Sequence, residues 1–171
     1  METDQINIPN YSFALRSNCR GVRNSEGALI LAKDGIHFQE NPEIHVDYTN
    51  SGHCVIVPWR ISNVQMIMCY KSPKYSKSQF VRKLKEALEK SRGTVVVFGD
   101  ININLQEESG QQFRQLMQSL NLESKLNFQD PTTDYGTHID CCFSNVPGLE
   151  AWLYESYFSY HKPICMILPK V

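Results

Sequence analysis

A short apolar run near the middle of the chain most constrains what the chain can fold into. Residues 95–98 read Val-Val-Val-Phe, and Gly99, Asp100 and Asn102 follow at once. A run of β-branched and aromatic residues of this length is typical of a strand that is buried on both faces. We therefore interpret residues 94–98 as a central strand, and the stretch 94–104 presents Asp100 and Asn102 just after that strand ends.

Two interpretations of this pair of side chains are open at this point. In extended backbone, residues two apart point to the same side, so Asp100 and Asn102 together could hold a metal ion and a phosphate. Asp and Asn are also common turn residues, and the strand could simply end in an Asx-turn. The pair alone does not decide between them, because short motifs often match by chance.

Hydrophobic periodicity predicts strands first and helices later. Residues 76–90 and 109–120 place apolar side chains at helical spacing. Alternating or apolar segments predict strands at 11–16, 28–33, 43–49, 53–60, 64–70, 94–98, 138–144, 151–156 and 163–168. This order predicts a mixed α/β sandwich rather than a doubly wound parallel sheet.

Composition narrows the class of protein. The 171 residues suffice for one domain, 1–171, with a sizeable core. The net charge of −1 gives no global basic field that would indicate a polyanion partner. The six cysteines form no C-x-x-C pair, which argues against a zinc site and favours a reducing intracellular compartment. No apolar run approaches about 18 residues, so we expect no membrane-spanning segment.

Four polar clusters at predicted strand ends carry a family resemblance when they are taken together. They are Tyr70-Lys71-Ser72-Pro73, Gly99-Asp100-Ile101-Asn102, Thr137-His138-Ile139-Asp140 and Ser159-Tyr160-His161-Lys162-Pro163. Their order and spacing resemble the endonuclease/exonuclease/phosphatase superfamily, which includes exonuclease III-type repair nucleases and the endonuclease domains of retrotransposons and Helitron-type elements. The resemblance implies a four-layered α/β sandwich of two packed mixed β-sheets with flanking helices.

The resemblance also implies a role for each matched residue. Asp100 would position or deprotonate the attacking water, and Asn102 would hold that water and the scissile phosphate. Asp140 would orient His161, which would contact the phosphate. Tyr70 would steady the phosphate from the end of the preceding strand. Phosphodiester hydrolysis needs these parts, namely a nucleophilic water and hydrogen-bond donors on the phosphate oxygens.

A metal ion and a nucleic acid follow from the same resemblance. Glu2 and Asp100 would be metal ligands, and carboxylate oxygens suit Mg²⁺ or Mn²⁺. Arg20 and Arg23 lie in a loop similar to one in the retroelement members, so with Asn102 they would contact nucleic acid. The two arginines fit equally well as solvated loop charges.

The sequence departs from the family pattern in two places. Tyr160 stands where the family has an aspartate before its closing histidine, and a phenol does not supply that negative charge near neutral pH. The family's opening strand, helix and strand do not precede Glu2. We therefore expect an N-terminally shortened domain that lacks the usual first strands.

We therefore expect a metal-dependent endonuclease that hydrolyses DNA. We expect it to act in the nucleus and not to bind a membrane. The resemblance to retroelement proteins also implies neighbouring domains of a larger transposable-element polyprotein. Two alternatives remain open. One is a catalytically degenerate relative that binds nucleic acid or protein, and the other is a phosphatase of the same superfamily.

Overall fold

The computed structural model describes residues 8–16, 29–36 and 44–169. Within them lie ten strands and two α-helices, and a short 3₁₀ turn, Glu108–Gly110, leads into the second helix. The elements are β1 Tyr11–Arg16, β2 Leu29–Lys33, β3 His45–Thr49, β4 Gly52–Ile61, β5 Val64–Lys71, α1 Lys77–Glu89, β6 Val95–Asp100, α2 Gln111–Ser119, β7 Glu123–Ser124, β8 Asp140–Ser144, β9 Glu150–Leu153 and β10 Ile164–Ile167.

A mixed six-stranded sheet forms the centre of the molecule, in the order β3-β4-β5-β6-β8-β7. Its strands pair antiparallel except β5 and β6, which run parallel. A parallel pair needs a crossover connection, and α1 supplies it. The side chains of Val95, Val96 and Val97 are buried, so β6 is covered on both faces where its sequence predicted burial. The α/β class is confirmed.

The two faces of this sheet bury different partners. On one face lie α1 and α2, whose Phe80 and Phe113 rings stack at 6.2 Å between centroids. On the other face lie two separate two-stranded sheets, β1–β2 and β9–β10, which pack against Val55, Val57 and Val96. The described residues thus form three layers, and the expected second sheet is present as these two pairs of strands.

No helix in the described ranges is long and apolar enough to cross a bilayer.

Gly99 allows β6 to lie close to β5 directly before Asp100. Its φ is +136°, and a Cβ added to it would lie 1.9 Å from the Cys69 carbonyl oxygen on β5. Backbone atoms of a central strand cannot move away cheaply, so this position excludes any side chain. The position of the end of β6, which includes Asp100, therefore requires a glycine at residue 99.

Replacing Gly99 with Ala should lower the free energy of unfolding by about 3 kcal/mol, because the Cβ clashes with backbone and the positive φ is strained. Urea denaturation measures this difference. Gly93→Ala is a matched control, since Gly93 has a φ of +84° but no atom within 4 Å of the added Cβ. It should cost about 1 kcal/mol from backbone strain alone. Equal losses in the two variants would show that the close approach at Gly99 is unimportant.

Candidate functional site

Asp100, Asp140 and His161 lie together where β6 ends and β8 begins. Asp100 and Asp140 are directly opposite each other in the antiparallel pair. The Nδ1–H of His161 donates to Asp140 Oδ2 at 2.9 Å, and His161 Nε2 lies 3.9 Å from Asp100 Oδ2. One ligand atom from each residue falls within 4.8 Å of the others. We call these three residues the acid–histidine group.

A loop between β7 and β8 connects the strand end to the histidine segment. Thr132 is fully buried, and its Oγ1 accepts hydrogen bonds from the backbone N–H groups of Ile139 at 3.0 Å and Asp140 at 3.1 Å. Its carbonyl accepts the N–H of Lys162 at 2.8 Å, and Thr133 forms a β-bridge with His161. The hydroxyl of Thr132 on one side and its carbonyl on the other therefore hold Asp140 and the His161 segment in register.

The acid–histidine group carries an excess of negative charge in a partly buried place. Burial and the neighbouring Asp140 carboxylate raise the pKa of Asp100 to about 6, while the Asn102 N–H, His161 and Lys71 oppose the rise. Two carboxylates that face each other across a strand pair repel. The electrostatics of the site therefore favour a bound cation, and carboxylate oxygens are ligands that hard divalent cations prefer.

The chain turns sharply directly after Asp100. Asn102 has a φ of +46°, and its backbone N–H donates to Asp100 Oδ1 at 2.9 Å. This is an Asx-turn, so our argument that extended backbone aims Asp100 and Asn102 to one side is wrong. The Nδ2 of Asn102 donates instead to the Lys71 carbonyl at 2.9 Å. A short polar side chain tolerates the left-handed conformation that this turn requires.

Lys71 supports this turn from the end of β5. Its side chain is fully buried, and Nζ donates to the carbonyls of Ser72 at 2.9 Å, Pro73 at 3.3 Å and Tyr75 at 3.3 Å. Burial lowers the pKa of Lys71, and the charge of Asp100 opposes that shift. No role was predicted for Lys71 or Thr132, because in the sequence each looks like an ordinary exposed residue of a polar loop.

Tyr70 lies on the same strand end as Lys71. Met68 on β5 pairs with Phe98 on β6, so Tyr70 and Asp100 each follow the last paired residue of neighbouring parallel strands at the same edge of the sheet. The Tyr70 ring centroid lies 5.4 Å from that of His53. The predicted contact between Tyr70 and a phosphate remains a prediction.

Three of the predicted site residues lie outside the described residues. They are Glu2, Arg20 and Arg23. The predicted roles of Glu2 in metal binding and of the two arginines in nucleic-acid binding remain predictions.

Tyr160 occupies the position where the resemblance expects a carboxylate. Its ring lies 4.4 Å from the His161 ring and 5.3 Å from the Tyr135 ring, measured between centroids. A cleft of about 350 Å³ adjoins the group and is lined by Phe98, Gly99, Asp140 and residues 156–164 in part. Larger clefts of about 400 and 560 Å³ exist elsewhere. We assign the candidate site to the smaller cleft because Asp140 and His161 line it.

Comparisons with known proteins find similarity in structure alone. No protein-family model matches the sequence, and no curated protein matches it. The endonuclease domain of TRAS1, a telomere-specific non-LTR retrotransposon, superimposes with a TM-score of 0.66 at 16% identity, covering 93% of this chain and 78% of that one.

Two proteins from Bacteroides thetaiotaomicron are also similar. An endonuclease/exonuclease/phosphatase family protein gives a TM-score of 0.60 at 12% identity, covering 91% of this chain and 74% of its own. A mannosyl-6-phosphatase gives a TM-score of 0.58 at 14% identity, with coverages of 94% and 78%. The chain therefore has the endonuclease/exonuclease/phosphatase fold.

Proposed function

We propose that the chain is a divalent-metal-dependent phosphodiesterase that cuts DNA at the acid–histidine group. The observation that carries the proposal is His161, which lies between two carboxylates at 2.9 and 3.9 Å where two central strands meet. A histidine oriented by one carboxylate beside a second carboxylate is suited to phosphoryl chemistry, which needs a base for water and a donor for phosphate.

Asp100 is the proposed base. In the metal-free protein its pKa of about 6 leaves it ionised at neutral pH, so its oxygens are free to accept a proton from water or to bind a cation. General bases work best when their pKa lies near the working pH. Asp140 holds the His161 ring through Nδ1 and leaves Nε2 facing Asp100 and the incoming phosphate. Asn102 and Tyr70 are the proposed neighbours of that phosphate.

A divalent cation fits the donor set of the acid–histidine group. The carboxylates of Asp100 and Asp140 are oxygen ligands of the kind that Mg²⁺ or Mn²⁺ takes, and both belong to the cluster whose ligand atoms lie within 4.8 Å. When bound, such a cation neutralises charge that develops on the phosphate. The family resemblance adds Glu2 as a further ligand.

The choice of DNA as substrate rests on the similarity to the TRAS1 endonuclease domain. That similarity also supports a place within a larger transposable-element polyprotein, and the nuclear location remains a prediction. The mannosyl-6-phosphatase with the same fold is the reason to keep a phosphatase as a second candidate. A fold does not select a substrate, so the two candidates have to be separated by assay.

Tyr160 supports a third candidate, a non-catalytic binding protein. It supplies an aromatic ring beside His161 where the family pattern has a carboxylate. Loss of one carboxylate weakens a site for a hard cation. Metal binding therefore distinguishes an enzyme from a binding protein that retains the fold.

Asp100→Asn should slow metal-dependent nicking of supercoiled plasmid at least about 100-fold, because it removes the base and a metal ligand. Nicking with Mg²⁺ and with Mn²⁺ measures the effect, and hydrolysis of a sugar phosphate is measured in parallel. Asp134→Asn is the control, since Asp134 is an exposed carboxylate of the loop that adjoins His161. Equal nicking by wild type and Asp100→Asn would contradict the assignment.

The raised pKa of Asp100 predicts a pH-dependent stability in metal-free protein. The folded pKa of about 6 exceeds the ordinary value of 3.8, so the native state gains stability from this group below pH 4 and loses it as the pH rises through 6. Asp100→Asn should therefore be more stable than wild type at pH 7, by about 3 kcal/mol, with the difference vanishing near pH 4.

Urea denaturation in a chelator at the two pH values measures this difference. Adding Mg²⁺ or Mn²⁺ at pH 7 should raise the melting temperature of wild type and leave that of Asp100→Asn almost unchanged, since ligands that bind only the native state stabilise it. A metal that raises neither melting temperature favours the non-catalytic candidate. A stability difference that is independent of pH would show that Asp100 is not perturbed.

A further inference from the structure

Exposed aromatic side chains lie on the β7–β8 loop and on the β9–β10 loop, the two loops beside the acid–histidine group. Tyr135 is 78% exposed, Tyr157 is 93% exposed, Phe158 is 99% exposed and Tyr160 is 50% exposed. A single exposed aromatic residue needs no explanation, but Tyr135 and Tyr160 meet across two loops, and joined exposed apolar surface is of the kind that marks an interaction site. The mechanism proposed above uses none of these rings.

Two of these rings contact each other at a tilt of 50°, and one of them contacts His161 at a tilt of 44°. Tyr135 lies against Tyr160 at 5.3 Å, and Tyr160 lies against His161 at 4.4 Å, between ring centroids. We call Tyr135 and Tyr160 the tyrosine platform. Its outer surface faces water, while its inner end touches the histidine that is proposed to contact phosphate.

Backbone hydrogen bonds hold the platform in place. The Asp134 N–H donates to the Tyr160 carbonyl at 2.9 Å, which ties the two tyrosine segments together. Within the Tyr135 loop, the N–H groups of Thr132 and Thr133 donate to the Thr137 carbonyl at 2.9 and 3.1 Å. The rings are therefore presented by ordered backbone, and little conformational entropy is lost when a ligand stacks on them.

We propose that the tyrosine platform stacks an unpaired nucleobase of the strand whose phosphate lies at the acid–histidine group. Aromatic faces bind any base by stacking, and they need a base that is not enclosed in a duplex. The inference rests on the proposed function and adds its substrate class, which is single-stranded or locally unpaired nucleic acid. The geometry favours a base over a lipid, because the platform abuts His161 and a base is joined to its phosphate through one sugar.

Charge supports the same assignment. The formal net charge is −1, and Lys162, the cation next to His161 in sequence, is paired with Glu155 at 3.0 Å. Nonspecific binding to phosphates normally comes from several cations and falls steeply with salt. Within the described residues, the cation beside His161 is thus already paired, so we expect stacking to contribute a part of the affinity that depends only weakly on salt.

Replacing either platform ring by an aliphatic side chain should weaken binding of a base-bearing strand. Tyr160→Leu and Tyr135→Leu should each reduce the affinity for a short oligothymidylate about 10-fold, the usual effect of losing one stacking ring. Neither variant should change the affinity for a strand of the same length built from tetrahydrofuran abasic units. Fluorescence anisotropy of labelled strands in a chelator measures binding without cleavage, and a matched duplex is the third probe.

Tyr154→Leu is the matched control. Tyr154 is 58% exposed and belongs to the same loop, but it is not one of the two rings of the tyrosine platform. It should bind all three probes as wild type does. Unchanged melting temperatures for the three leucine variants would show that the differences in binding do not come from unfolding.

The outcomes separate this proposal from the proposed function. Wild type that binds the oligothymidylate through both tyrosines but nicks no DNA contradicts the enzyme and supports the platform. Wild type that nicks DNA but binds base-bearing and abasic strands equally overturns the platform alone. Binding to phosphatidylserine vesicles that is lost in a Tyr157→Ser, Phe158→Ser double variant, with no preference for bases, overturns it in favour of a membrane surface.

Discussion

The repulsion between Asp100 and Asp140 is the constraint on which the site depends. Strand register sets the two carboxylates opposite each other at a partly buried edge, where they cannot move apart without breaking the sheet. Like charges in such a pair are destabilising. Three surrounding groups offset the repulsion, namely the Asn102 N–H, His161 and Lys71. Groups whose pKa is shifted by burial and a neighbouring charge often lie at functional sites.

Ordered backbone on every side holds this unfavourable pair. Gly99 lets β6 approach the Cys69 carbonyl closely, and Asp100 is the next residue after this contact. Lys71 uses its charge to satisfy three carbonyls, and its own carbonyl accepts a hydrogen bond from Asn102. Thr132 connects the start of β8 to the segment of His161. The positions of the reactive groups therefore depend on residues that need not touch a substrate.

Tyr160 exchanges a negative charge for an aromatic face at the mouth of the site. A carboxylate there would add to the metal ligands, whereas the phenol ring extends the surface of His161 outward to Tyr135. The exchange lowers the expected affinity for a cation and raises the expected affinity for a flat ligand. Because both consequences follow from Tyr160, weaker metal binding and stronger base binding are expected to occur together in this protein.

The amino-acid sequence by itself determined the α/β class, both helices and nine of the ten strands in the described residues, because hydrophobic periodicity is local information, whereas the two-residue strand β7 is too short to show a period. The apolar run before Gly99 predicted a buried strand, and this strand is buried in the central sheet. Asp100, Asp140 and His161 were singled out by motif spacing, but their proximity comes from strand register and one β-bridge between distant segments. Only the tertiary structure decided that the chain turns at Asn102, that Lys71 and Thr132 are buried supports, and that Tyr135 meets Tyr160. These features depend on contacts between loops. Such contacts join residues that are far apart in sequence, so no local sequence pattern predicts them.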